Sequence, residues 1–159
     1  MGIPRKYSSF GAALVGTNKT LVTLVSNTGV RPGLWQVVIG SGATAPADYN
    51  GVFYGNRFTA AGTAAASPTP SKFDTADIAA VATVGSGGGT NFSVEPTYTA
   101  TDAPIVLAGN LRDQLIFFAG PGYEVMAPAT AANGIGIYSL SHGGSAVSAS
   151  CHATIYWIE

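Results

Sequence analysis

Charge is scarce in this sequence. Seven Lys or Arg and eight Asp or Glu make up 9% of the 159 residues, where roughly 25% is usual for a soluble domain. The scarcity is uneven: no charged residue lies between Asp77 and Glu95, and none between Glu124 and Glu159. A monomer normally keeps itself in solution with mixed surface charge, whereas the centres of permanent interfaces are depleted in it. The pattern predicts a surface that neighbouring subunits cover, with contact falling in the charge-free stretches 78–94 and 125–158. A net charge of −1 offers no basis for binding nucleic acid or an anionic membrane, so neither is an expected partner.

Cysteine is nearly missing as well. Cys151 stands alone, which excludes an internal disulfide framework and a Cys-based zinc site. Long hydrophobic runs are also absent. Pro128, Gly134, Gly136, Gly143 and Gly144 break up the apolar C-terminal stretch, so no membrane-spanning helix is expected there. Arg5 and Lys6 precede a short apolar run, but Lys19 follows early and no cleavage site is evident; no secretory leader is expected.

What the chain does have is 47% apolar residues, enough for one packed domain. Val, Ile, Thr, Tyr, Phe and Trp come in short runs separated by Gly, Pro, Asn and Ser, the signature of strands and turns. Strands are expected over 20–26, 34–39, 51–59, 91–98, 105–110, 114–119, 123–126, 134–140 and 148–158. Residues 34–39 (LWQVVI) are almost continuously apolar, as in a strand covered on both faces. The last strand alternates instead, with Cys151, Ala153, Ile155 and Trp157 on one face and His152, Thr154 and Tyr156 on the other. Asp74 could cap one short helix over 75–81. The expected fold is all-β, a two-sheet sandwich or jelly-roll-like domain of eight or nine short strands over 20–159, preceded by an arm and lead-in over 1–19.

Residues with possible chemistry do not assemble into a mechanism. Gly40-Ser41-Gly42-Ala43-Thr44-Ala45 fits a dinucleotide-binding pattern literally, but loop residues follow where the motif requires a helix. The glycine tip 85–89 lacks the Lys-Ser/Thr pair of a phosphate-binding loop. Cys151 and His152 are adjacent, which in a strand sends them to opposite faces and out of dyad reach. His142 and His152 are too few for a structural zinc site without carboxylates. Glu95 and Glu124 could in principle form a glycosidase pair, although nothing in the sequence selects them. Structural ion pairs fit these carboxylates better, with Arg57 and Arg112 as the candidate partners. No catalytic, cofactor or metal residues are therefore assigned, and no enzyme is expected. An aromatic platform for sugar stacking is conceivable around Tyr156.

Several stretches stand out as motifs: Gly40-Ser41-Gly42-Ala43-Thr44-Ala45-Pro46-Ala47-Asp48, Asn56-Arg57-Phe58-Thr59-Ala60-Ala61-Gly62-Thr63, Pro68-Thr69-Pro70 and Val94-Glu95-Pro96-Thr97-Tyr98-Thr99. Asn110 with Arg112, Pro121-Gly122-Tyr123-Glu124 and Pro128-Ala129-Thr130-Ala131-Ala132-Asn133-Gly134-Ile135-Gly136 complete them. Together they resemble a family of small proteins encoded among the head genes of tailed bacteriophages, and the resemblance runs from about Arg31 to the C-terminus. It implies a capsid decoration or cement subunit on the virion surface, assembled in the host cytoplasm, bound to the major capsid protein and commonly trimeric. A head fibre or a receptor- or glycan-binding virion protein of the same fold is the alternative. On that reading the N-terminal arm, with Pro4, Arg5, Lys6, Tyr7 and Phe10, would clamp neighbouring capsomers together with the loops 40–50, 60–70 and 85–89.

Overall fold

The computed structural model describes residues 4–15, 19–42, 50–99, 103–140 and 149–159. Residues 1–3 of the expected arm, most of the 40–50 loop including Asp48, Asp102, and the turn with Ser141 and His142 lie outside that set. Among the described residues there are 12 strands and no helix: β1 (Lys6–Val15), β2 (Lys19–Val25), β3 (Gly33–Ser41), β4 (Asn50–Ala60), β5 (Ser71–Lys72), β6 (Thr83–Ser86), β7 (Thr97–Tyr98), β8 (Ile105–Asn110), β9 (Leu115–Phe118), β10 (Val125–Met126), β11 (Gly134–Leu140) and β12 (Ala149–Ile158). They form two antiparallel sheets. Sheet A runs β10-β3-β12-β1-β5, with β9 also on β3; sheet B runs β6-β2-β11-β4-β7, with β8 also on β4. The two pack face to face as a β-sandwich.

The core follows from alternation. Cys151, Ala153, Ile155 and Trp157 of β12 are buried, as their shared parity predicts. They meet Leu21, Val22, Leu24, Phe53, Ile135 and Ile137 from sheet B. Trp157 stacks on Tyr7 of β1 with ring centroids 5.7 Å apart. Each large side chain fully buried in this way contributes about 1.5–3 kcal/mol.

The expected arm is largely a strand. β1 pairs along its whole length with β12, from Lys6 opposite Ile158 to Val15 opposite Ala149, and Tyr7 is a fully buried core residue. Its alternation is hidden because the inward positions after Tyr7 are small: Ser9, Gly11 and Ala13. The outward ones, Phe10 and Leu14, are the bulkier. Small inward residues let the two sheets approach closely here, and a Cβ at Gly11 would strike the Leu21 carbonyl.

Two other expectations fail for hydrogen-bonding reasons. No helix forms over 75–81. The Asp74 carboxylate instead accepts from Ala76 N at 2.9 Å in a turn, and the amides of Val81 and Ala82 are held by the Glu159 carboxylate, both at 2.9 Å. Residues 91–96 form no named strand; only Thr97–Tyr98 (β7) does. That segment lies over the outer face of sheet B, anchored by a bridge between Thr63 and Val94. Conversely, part of the glycine tip is sheet: β6 pairs with β2 from Val22–Ser86 to Val25–Thr83.

Sheet B therefore carries a cover supplied by its own connections. Beneath it Phe58 meets Tyr98 edge-on at 6.3 Å, and Tyr98 lies 4.1 Å from Tyr138. Phe58 and Phe92 are buried there, outside the main core. Gly136 of β11 makes the room, since a Cβ on it would run into the Tyr98 ring.

Candidate interaction face

Among the described residues sheet A has no such cover. The sequence of β3 is largely apolar, yet of its large apolar side chains only Leu34, Val37 and Ile39 are buried. Trp35 and Val38 point away from the core and stay only partly buried. Around them several outward side chains are large and apolar, set among Ser8, Gln36, His152 and Thr154. Phe118 is 64% exposed, Phe10 is 59% exposed, and Ile116 and Phe73 are exposed by more than half.

Register builds this face. Pairing sets Val38 opposite Ile116 and Gln36 opposite Phe118, and Gln36 opposite Tyr156 on the other side. A bulge between Tyr156 and Trp157 places two β3 residues, Trp35 and Gln36, where one would stand, which turns Trp35 outward. The rings then form a continuous stripe. Phe118 meets Trp35 at 5.9 Å, Trp35 meets Tyr156 at 5.4 Å, and Tyr156 meets Phe73 at 6.0 Å. Their interplanar angles of 89°, 45° and 65° mean that the rings pack tilted and edge-on. They do not make the flat platform that sugar stacking around Tyr156 would use.

One end of the stripe opens into a groove of about 290 Å³, lined by Pro4, Lys6, Trp35, Phe118, Ala119, Pro121, Glu124 and Ile158. Beside it is a rigid turn. Pro121 and Gly122 occupy its centre, with Gly122 at φ +86°, and Tyr123 N donates to Gly120 O at 3.0 Å. Proline followed by a left-handed glycine is type II turn chemistry. The Glu124 carboxylate accepts from Gly122 N at 3.1 Å, fixing the turn from the groove side. A second groove, of about 430 Å³, lies at the other end of the face, between Phe10, His152 and the Ala66–Pro68 and Gly88-Gly89 backbone.

The charged residues near this face are mostly engaged in holding backbone. Lys72 donates to the carbonyls of Thr75 and Asp77 at 2.9 and 2.7 Å. Arg5 faces Asp77 at 3.8 Å. At the C-terminal end Glu159 takes the indole N–H of Trp157 at 3.1 Å in addition to its two amides.

The expected ion pairs are rearranged. Glu95 accepts from Thr20 N at 3.1 Å and faces Lys19 at 3.6 Å, on the sheet B side. Glu124 holds the turn at the groove. Arg57 donates through Nε to the Met126 carbonyl at 3.2 Å, and Arg112 sits in the turn after β8, its amide bonded to Asn110 at 3.0 Å. The ion pairs seen among the described residues join Lys19 to Glu95 and Arg5 to Asp77. Glu95 and Glu124 lie on opposite sides of the sandwich and share no cleft.

Cys151 and His152 point to opposite faces, as their adjacency requires. Burial pushes the Cys151 thiol up to about 12, which leaves it without thiolate character at neutral pH. Among the described residues no three His, Cys, Asp or Glu side chains converge as metal ligands.

Of the residues expected in an arm, Tyr7 belongs to the core, Pro4 and Lys6 line the groove, and Phe10 stands on the open face. Sequence reading missed Trp35, Ile116 and Phe118 as surface residues. The available signal was the nearly continuous apolar run of β3, which suits a strand covered on both faces where the described residues cover one. Comparisons with protein-family models, with curated proteins and with solved structures find no match to this chain.

Proposed function

We propose that this chain is a structural subunit of a symmetric protein assembly, a decoration or cement protein of a tailed-phage head, with sheet A's outer face as its contact surface. The observation that carries the reading is the uncovered aromatic stripe on an otherwise finished domain. Monomeric proteins rarely expose contiguous apolar patches beyond a few hundred Å², and this one is largely free of charge, as permanent interfaces are. The phage context rests on the sequence resemblance alone. Contact is assigned to a folded face in place of a free arm, since Lys6 to Phe10 are held in β1.

The second reading, a receptor- or glycan-binding head fibre, draws on the Trp35 groove with Glu124 and Lys6 at its rim. Purification of intact heads separates the two. A decoration protein stays with particles at a fixed copy number that is a multiple of the shell's symmetry. A binding protein of the other kind adheres to host cells or their polysaccharide. Heads that carry none of the protein would sink the decoration reading.

A further inference from the structure

From the open face and its knob and groove we infer that two copies of this chain pair through sheet A about a two-fold axis, with Tyr123 of each copy seated in the Trp35 groove of the other. The inference rests on the reading of sheet A's outer face as an interface, and it names the first occupant of that face.

Four observations carry it. Tyr123 is 83% exposed, the most exposed of the large apolar side chains. It is also presented rigidly, by Pro121, by Gly122 at φ +86° and by two hydrogen bonds, to Gly120 O and from Gly122 N to Glu124. An aromatic anchor carried on a backbone with little freedom left to lose suits an interface hot spot.

A matching cavity stands next to it. The groove has a volume of about 290 Å³ and is walled by Trp35, Phe118, Pro121 and Ile158. Pro121 and Glu124, on either side of Tyr123 in the chain, both line the groove, so knob and hole are neighbours at the β3 edge of sheet A and one two-fold rotation can bring both contacts together. That is the self-complementary, closed arrangement of an isologous dimer. A knob and hole on different faces would have built a ring instead.

The exposed large apolar side chains alone supply most of the area needed. With roughly 200 Å² for a large apolar side chain, the exposed fractions of Phe10, Leu14, Phe73, Ile116, Phe118 and Tyr123 leave about 700 Å² uncovered. A stable interface takes about 800 Å² from each partner. Charge raises no obstacle either. The two charged residues at the groove, Lys6 and Glu124, are opposite in sign, so self-docking forces no cluster of like charges together.

Sedimentation equilibrium of the full chain over a wide concentration range tests this, alongside Tyr123→Ser and Phe118→Ser. Both positions are exposed, and circular dichroism checks that each variant is folded. The expected result is a wild-type dimer whose dissociation constant rises at least about 30-fold in Tyr123→Ser, the equivalent of the ~2 kcal/mol hot-spot threshold. Iodide quenching gives a second readout, because Trp35 is partly exposed while Trp157 is fully buried. Quenching should increase on dilution of wild type and be high at all concentrations in Tyr123→Ser. A wild type that stays monomeric, or a dimer or trimer indifferent to Tyr123→Ser, overturns the pairing. Retention on purified heads, measured separately, shows which idea has failed. A monomer that still binds heads refutes the second copy and keeps the decoration reading. A dimer absent from heads does the reverse.

Discussion

Ile155 and Tyr156 are consecutive in β12, and the sandwich treats them oppositely: Ile155 is sealed in the core, and Tyr156 stands in the open stripe, 5.4 Å from Trp35. The same division separates Val37 from Val38 in β3. One face of sheet A is needed to fold the chain, and the other stays open among the described residues.

That division predicts an asymmetry in stability. Ile155→Ala removes buried methyl groups and should cost about 2–5 kcal/mol. Phe118→Ser, on the open face, should change the stability of the isolated chain by no more than about 0.5 kcal/mol. Urea denaturation of the two variants, at concentrations where wild type is dissociated, measures both.

The covered face of sheet B makes a different prediction. A Cβ at Gly136 would meet the Tyr98 ring, with Cε1 at 2.9 Å and Cζ at 3.0 Å. Gly136→Ala should therefore destabilise by about 1–3 kcal/mol through overpacking. Tyr98→Ala in the same chain should recover part of that loss, giving a non-additive double-mutant cycle. Additive costs would show that the glycine is not kept small for the ring.

Alkaline pH should weaken the fold. Burial is the main cause that raises the Tyr98 hydroxyl above its ordinary 10.0, and burial alone raises the Cys151 thiol from 9.0 to about 12. In both cases the folded chain holds its proton after the unfolded chain has released it. Stability is then complete below pH about 9 and falls as pH rises through 9 to 12, since the unfolded state binds fewer protons there. Urea midpoints between pH 8 and 11 should decline, less steeply in Tyr98→Phe. The same burial predicts that a thiol reagent modifies native Cys151 only as fast as the chain opens.

Glu159 ties the last strand to the 74–82 segment through Val81 N, Ala82 N and the Trp157 indole. Glu159→Ala leaves three donors without that acceptor and should cost about 2–4 kcal/mol. Thermal unfolding reads the loss, and Glu159→Gln should retain part of the stability.

Legibility in the sequence followed how side-chain size was distributed. β8 and β11 coincide with the expected 105–110 and 134–140, because turn residues bound them sharply. The alternation of β12 was legible because its inward side chains include Ile155 and Trp157. β1 was not, since Ser9, Gly11 and Ala13 face the core and Phe10 and Leu14 face out. The 75–81 helix was misread because its competitor, Glu159, is distant in sequence. The contact face was only half legible. Of the charge-free stretches, 125–158 does supply the middle of that face through His152, Thr154 and Tyr156 of the central strand β12. The large apolar side chains beside them come mostly from β1, β3 and β9, and only strand register brings those together.

The central claim is that sheet A's outer face is buried in the working assembly. Hydroxyl-radical footprinting of the dilute free chain and of purified heads carrying it measures this directly. The account predicts that Phe10, Trp35, Phe118 and Tyr123 oxidise readily in the free chain and are strongly protected on particles, while exposed Ile78 and Val106, off that face, change little. Equal oxidation of the four residues in both states would contradict it.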